Sequence, residues 1–142
     1  MRLAGLVVVF LWFLLGGAGH FLHAYFFISI VPPYIPWPHT VVYASGVFEL
    51  LGAAGLLLPV WRRAAGIGLF ALTIAVTPAN LNMALHPAQF SEIHLGGLTL
   101  YPSPFVLWFR MVIQVALLGC IYGAAIRPAK GVARRHASRD AA

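Results

Sequence analysis

Ionisable side chains inside long apolar stretches are the residues of this sequence best suited to chemistry. Glu49 and Arg110 are the one carboxylate and the one guanidinium found there, and His20 lies at a similar depth. Charged groups within a bilayer are costly and usually mark functional sites. Because a buried charge needs a partner, we expect Glu49 to pair with Arg110 and to bind His20. These three are the candidate catalytic residues, and an ion pair that only fixes helix packing is the structural alternative.

Further polar groups share helical faces with these three residues. Gln114 follows Arg110 by four residues, and His23 follows His20 by three. Residues three or four apart lie on one face of a helix. Each apolar stretch therefore carries one polar stripe, and we expect the stripes to point into a shared interior. The candidate ligand-binding residues are His23, Asn80, Gln114 and Thr77.

Metal, haem and dithiol chemistry have little support in the sequence. His20 and His23 could share a metal ion, but the apolar stretches offer no third ligand besides Glu49. Two histidines on one face of a single helix cannot bind opposite faces of one haem. The single cysteine, Cys120, excludes an intrachain dithiol. We therefore predict no metal site and do not expect haem.

Four apolar stretches must position these side chains. The 142-residue chain is 61% hydrophobic and 8% charged, with a mean hydropathy of +0.89, whereas a soluble domain has about a quarter charged residues. As helices, the stretches could each cross about 30 Å of hydrocarbon. They cover about residues 3–30, 40–60, 64–83 and 105–126. We predict an all-α integral membrane four-helix bundle over residues 1–128 and a basic, disordered cytoplasmic tail over residues 129–142.

The positions of the basic residues predict the orientation of the bundle. The connections over residues 31–39 and 84–104 contain no Lys or Arg, whereas the turn at Arg62 and Arg63 and the tail are basic. The positive-inside rule then places both termini in the cytoplasm, as expected for a multi-pass membrane protein. The net charge of +6 thus reflects orientation and contact with the lipid bilayer. No basic face typical of nucleic-acid binding is present.

Glycine and proline predict two details of helix packing. The glycine-rich segments 16–19 and 52–55 are typical of helices that approach each other closely in a membrane. Pro78 is expected to kink the third apolar helix, since a proline removes one backbone hydrogen bond and clashes with the preceding turn.

Several motifs together resemble the DoxX-like membrane proteins, and the resemblance covers roughly residues 16–127. They are Gly19-His20-Phe21, Val31-Pro32-Pro33-Tyr34-Ile35-Pro36, Ser45-Gly46-Val47-Phe48-Glu49-Leu50, Arg62-Arg63, Thr77-Pro78-Ala79-Asn80 and the spacing of Arg110 and Gln114. The resemblance implies a four-helix protein of the bacterial inner membrane that is an accessory subunit of a redox or respiratory assembly. Quinone is the cofactor it suggests, with other subunits of such an assembly, or further copies of this chain, as partners.

Two other functions fit the same residues. One is an autonomous intramembrane enzyme, such as an isomerase, that uses Glu49 and His20 as an acid/base pair. The other is a carrier or binding protein for a small solute or lipid. An apolar slot leading sideways into lipid favours quinone binding, an enclosed cavity beside Glu49 favours the isomerase, and a filled core favours a structural role.

Overall fold

The computed structural model describes residues 2–90, 92–95 and 97–127, and within them the chain is mostly helical. The predicted tail over residues 129–142 lies outside the described residues. The elements are α1 (Arg2–Leu22), α2 (Ala24–Ser29), α3 (Pro38–Leu57), α4 (Arg62–Ala75), α5 (Thr77–Leu85), a 3-10 turn (Pro87–Phe90), β1 (Ile93–Leu95), β2 (Leu98–Leu100), α6 (Pro104–Ile121) and a π-helical turn (Tyr122–Ile126).

Four helical stretches of the described chain are long and apolar enough to cross a membrane. They are Arg2–Leu22, Pro38–Leu57, Arg62–Leu85 and Pro104–Ile126. Helix α1 packs on α3, α3 on α4, α5 on α6, and α6 back on α1, so the four stretches close into a ring. The prediction of a bundle of four helices, each long and apolar enough to span a membrane, is therefore confirmed.

The segment between α5 and α6 is more structured than predicted. Strands β1 and β2 form an antiparallel hairpin in which Ile93 faces Leu100 and Leu95 faces Leu98. Gly97 occupies its turn with φ 88°, a left-handed conformation that glycine adopts without strain. The all-α prediction thus holds for the apolar stretches and not for this connection.

Two of the predicted helices are interrupted. The first stretch was expected to continue to residue 30, but it breaks at His23, where φ is −128° and ψ is 40°. The third stretch breaks at Val76, two residues before Pro78. The predicted kink is therefore confirmed.

Close approach of α1 and α3 depends on Gly17, which lies in a predicted packing segment, and on Gly46, which lies outside both predicted segments. A Cβ atom on Gly17 would lie 2.9 Å from Leu50 Cγ, and one on Gly46 would lie 2.8 Å from His20 Cβ. Both distances are too short for a stable contact, so a larger side chain would push α1 and α3 apart. These glycines bring His20 of α1 next to α3.

One end of the bundle carries the basic residues Arg2, Arg62, Arg63 and Arg127, and we call it the basic end. Arg2 donates from Nε to the carbonyl oxygen of Ala124 at 3.0 Å and from Nη2 to that of Arg127 at 3.1 Å. The π-helical turn leaves carbonyls at this end without helical partners, and Arg2 satisfies them. The opposite end, with the hairpin and the proline-rich connection, is the loop end.

The apolar core is divided into two clusters. The first, toward the basic end, contains Val9, Phe13, Ala53, Leu56, Leu69, Leu117, Ile121 and Ala125. The second, at the loop end, contains Ile30, Met83, Phe90, Ile93 and Leu107. Along the first, third and fourth apolar stretches the buried polar residues fall between members of these two clusters, and on α3 Ser45 and Glu49 lie on the loop-end side of Ala53. The polar residues therefore form a middle layer of the bundle.

Candidate functional site

A cavity of about 630 Å³ occupies the middle layer. This volume is in the range of pockets that bind small molecules, about 300–1,000 Å³. Most of its lining is apolar. The polar residues that line it are His20, Ser45, Glu49, Thr73, Asn80, Arg110 and Gln114. The prediction of a shared polar interior is thus confirmed, and the interior is hollow.

Helices α1 and α2 position the imidazole of His20. Its Nδ1 lies 2.9 Å from the carbonyl oxygen of Gly16 and 3.8 Å from Glu49 Oε2. The ring stacks on Phe27, with centroids 4.0 Å apart and planes inclined by 21°. A neutral imidazole that donates from Nδ1 to Gly16 keeps Nε2 as an acceptor. No described residue hydrogen-bonds to that Nε2.

Glu49 of α3 presents its carboxyl group to the cavity. The residue is 8% exposed, yet its carboxyl oxygens accept no hydrogen bond from any described residue. Space for the carboxyl group exists because Gly16 has no side chain: a Cβ atom there would lie 2.7 Å from Glu49 Oε2. A buried carboxyl group without hydrogen bonds is energetically costly. The cavity therefore offers a strong acceptor to a ligand.

The other half of the cavity is a connected network from α4, α5 and α6. Asn80 donates from Nδ2 to Gln114 Oε1 at 2.6 Å and accepts from Arg110 Nη2 at 3.4 Å. Gln114 donates from Nε2 to the carbonyl oxygen of Thr73 at 3.1 Å and to the hydroxyl of Thr77. Arg110 Nε is buried and has no hydrogen-bond partner among the described residues. This half therefore presents a hydrogen-bond donor that the protein does not satisfy.

The expected ion pair between Glu49 and Arg110 is not formed. The ionisable group nearest to the Glu49 carboxyl is His20, and Arg110 reaches Asn80. The two charged residues lie at the same level, but α3 and α6 are diagonal in the ring of helices. Each residue lines the cavity from its own side. The prediction of a direct pair was wrong because depth along a helix does not give the distance across a bundle.

Two predicted ligand-binding residues lie outside the cavity lining. His23 is at the break between α1 and α2, which turns it off the face that it would share with His20 in a continuous helix. Thr77 donates to the carbonyl oxygen of Thr73 at 3.1 Å and accepts from Gln114. Thr77 thus orients Gln114 and does not face the cavity.

Some residues of the site were not predicted. Phe27 covers one face of the His20 ring only because the chain breaks at His23, and no signal in the sequence identified that break. Thr73 lies one helical turn before Thr77, and it holds Gln114 through its carbonyl oxygen, a group that every residue carries. Backbone groups such as this one have no sequence signature.

The cavity extends to the surface of the bundle beside α1. Leu15 and Trp12 line it and are themselves 71% and 48% exposed. On a membrane helix bundle, exposed apolar side chains in this middle region face lipid. Of the three arrangements that distinguish the functions, this one matches an apolar slot open to the side.

The groups that could hold a ligand are organic donors and acceptors. Among the described residues, no group of three His, Cys, Asp or Glu side chains could hold a metal ion. The carboxyl group of Glu49 and Nε2 of His20 accept hydrogen bonds, while the guanidinium of Arg110 donates them. A molecule with an oxygen acceptor at one end and a hydroxyl donor at the other would satisfy both halves.

Comparison with known proteins gives a family without an assigned activity. No curated protein and no solved structure matches the chain. A family model matches residues 9–124, a range that contains every residue lining the cavity. Over this range the chain belongs to the family described as a domain of unknown function, DUF8561.

Proposed function

We propose that this protein binds an amphipathic molecule of the quinone class within the membrane, as an accessory subunit of a redox or respiratory assembly. The observation that carries the proposal is the cavity in which Glu49 and Arg110 line opposite sides without pairing. The resemblance of the motifs to DoxX-like proteins supports the quinone-linked setting. A purely structural role is disfavoured, because an ion pair that stabilises helix packing would bring Glu49 and Arg110 into contact and leave no cavity between them.

The polar groups suit both redox forms of such a molecule. A quinone has carbonyl oxygens at opposite ends of its ring, and a quinol has hydroxyl groups there. Arg110 can donate from its unpartnered Nε to an oxygen at one end. Glu49 can accept a hydrogen bond from a hydroxyl at the other end, with His20 beside it at 3.8 Å. The apolar lining then holds the ring.

An acid/base enzyme is the second candidate, and one observation favours it. Glu49 and His20 lie next to each other, and both have acceptor atoms without protein partners on the cavity. Such a pair could move a proton within an apolar substrate. An isomerase would convert its ligand into a product with the same mass, whereas a binding protein would return it unchanged.

The proposed location is the bacterial inner membrane with the basic end in the cytoplasm. Arg2, Arg62, Arg63 and Arg127 at that end support this orientation through the positive-inside rule. A reporter fused after Arg139 should therefore be active as a cytoplasmic reporter, and one inserted between Pro33 and Tyr34 as a periplasmic reporter. The opposite pattern of activity would contradict the orientation.

Filling the cavity should remove the bound molecule without unfolding the protein. Ser45 lines the cavity, and its hydroxyl donates only to the carbonyl oxygen of Val41 in its own helix. We expect Ser45→Leu to lower the quinone content of protein purified in mild detergent by about tenfold, since the added carbons occupy ligand space. Mass spectrometry of extracted quinones measures the result.

A matched control is available in the same chain. Ser29 is exposed, and its hydroxyl donates in the same way to the carbonyl oxygen of Phe26 in its own helix. Ser29→Leu should keep the wild-type quinone content. If wild-type protein from a quinone-producing host contains no quinone and binds none when it is added, the proposed function is wrong.

A further inference from the structure

A second hollow lies on the surface between α3 and α4, and the proposed function does not involve it. This α3/α4 groove has a volume of about 710 Å³ and runs from Trp61 at the basic end to Phe48 and Ala75 in the middle layer. All of its lining residues are apolar, and several are small, including Gly52, Gly55 and Gly68. A groove of this composition fits hydrocarbon and offers nothing to a polar group.

The groove meets the cavity. Leu72 and Ala75 line both hollows, so the two are adjacent in the middle layer. From Ala75 back to Ala65, α4 covers about 15 Å at 1.5 Å per residue. The polar side chains belong to the cavity and the extended apolar wall belongs to the groove. Together they have the shape of one molecule with a compact polar head and a long apolar tail.

We propose that the α3/α4 groove holds the apolar tail of the molecule whose head lies between Glu49 and Arg110. This inference rests on the proposed function and specifies its ligand: a long-tailed quinone is bound more tightly than the same ring without a tail. The opening beside α1 is bordered by the large side chains of Trp12 and Leu15, whereas the groove presents an apolar wall with several small residues along α3 and α4.

Gly68 provides a direct test. A Cβ atom at Gly68 would have no neighbour within 4 Å, so a side chain there projects into the groove without disturbing the helices. The leucine side chain of Gly68→Leu would occupy part of the groove, so a bound tail would lose contacts with the groove wall. Contacts between the tail and lipid would not replace them equally well. We expect affinity for a decyl-substituted benzoquinone to fall by about fivefold, while affinity for the same benzoquinone without a tail stays at the wild-type value.

Gly119→Leu is the matched control. Gly119 also has no neighbour within 4 Å of a built Cβ atom, lies exposed on α6 and lines neither hollow. It should bind both benzoquinones as the wild type does. Titrations of full-length protein in nanodiscs, followed by quenching of tryptophan fluorescence, give the affinities, since Trp12 lines the cavity.

The outcomes separate this inference from the proposed function. Equal affinity of wild type and Gly68→Leu for the decyl compound would overturn the tail path and leave the head site standing. If Gly68→Leu altered only the amount of co-purified phospholipid, the tail path would be overturned in favour of a lipid acyl chain in the groove. If Gly68→Leu altered only the oligomeric state, it would be overturned in favour of a second copy of the chain in the groove. Failure of wild type to bind either benzoquinone would overturn both proposals.

Discussion

Arg110→Met is expected to make the protein more stable and unable to retain quinone. The Arg110 guanidinium makes one long hydrogen bond, 3.4 Å to Asn80, and its buried Nε has no partner among the described residues. Replacing a poorly satisfied buried charge with an apolar side chain of similar length removes a desolvation cost, with a gain of about 1–4 kcal/mol. The same change removes the donor that the ligand needs, so bound quinone should fall below detection. Thermal unfolding in one detergent, beside quinone extraction, measures both effects.

Arg63→Met is the control for the loss of a positive charge. Arg63 is exposed at the basic end and does not line the cavity. Arg63→Met should change the free energy of unfolding by no more than about 0.5 kcal/mol. It should leave the quinone content at the wild-type value. A large loss of stability in Arg110→Met would identify Arg110 as a structural residue and count against the binding site.

Glu49→Gln should discriminate between the two redox forms of the ligand. The carboxyl group accepts no hydrogen bond from the described protein, so a quinol hydroxyl would be its donor. A hydrogen bond to a charged acceptor contributes about 1.5–3 kcal/mol, or roughly tenfold to a hundredfold in affinity. We expect the amide to weaken quinol binding by that factor and quinone binding by much less. Titrations under oxidising and reducing conditions provide the comparison.

Gly16→Ala tests the role of the Glu49 carboxyl group by displacing it without changing its chemistry. A Cβ atom at Gly16 would lie 2.7 Å from Glu49 Oε2, so the carboxyl group must move out of its present position. Its effect on quinol affinity should resemble that of Glu49→Gln, whereas Gly119→Ala should have none. Glu92→Gln, a carboxyl change outside the cavity lining, is the control for charge. Equal losses for quinone and quinol in Glu49→Gln would contradict the assigned role of the carboxyl group.

The depth of the site along the bundle could be predicted from the sequence, because it follows from each helix considered by itself. The positions of His20, Glu49 and Arg110 within their apolar stretches placed them at a similar depth, and all three line the cavity, together with Asn80 and Gln114 of the predicted polar stripes. Helical periodicity and the cost of burying charge are local rules, and they apply before any tertiary contact is known. Hydropathy and the missing N–H of Pro78 are equally local, and they predicted the four apolar helices and the break before Pro78.

The sequence did not predict relations across the bundle. Whether Arg110 meets Glu49 or Asn80 depends on which helices are neighbours and which are diagonal, and periodicity carries no such information. The break at His23 and the hairpin after α5 accompany contacts among Phe27, Ile30 and Ile93 at the loop end, which residue spacing does not reveal. A cavity also cannot be predicted from composition, since the same apolar residues can surround an empty space or fill a core.

The contacts of Arg2 have a consequence for how this protein is made. Its hydrogen-bond acceptors, the carbonyl oxygens of Ala124 and Arg127, are 122 and 125 residues later in the chain. During synthesis, α1 is translated before α6, and the Arg2 guanidinium stays without these partners until the last helix of the bundle has been made. Contacts so distant in sequence form late in folding. The first and last helices of the bundle therefore close the ring together, and a ribosome stalled before Ala124 would leave the bundle open between α1 and α6.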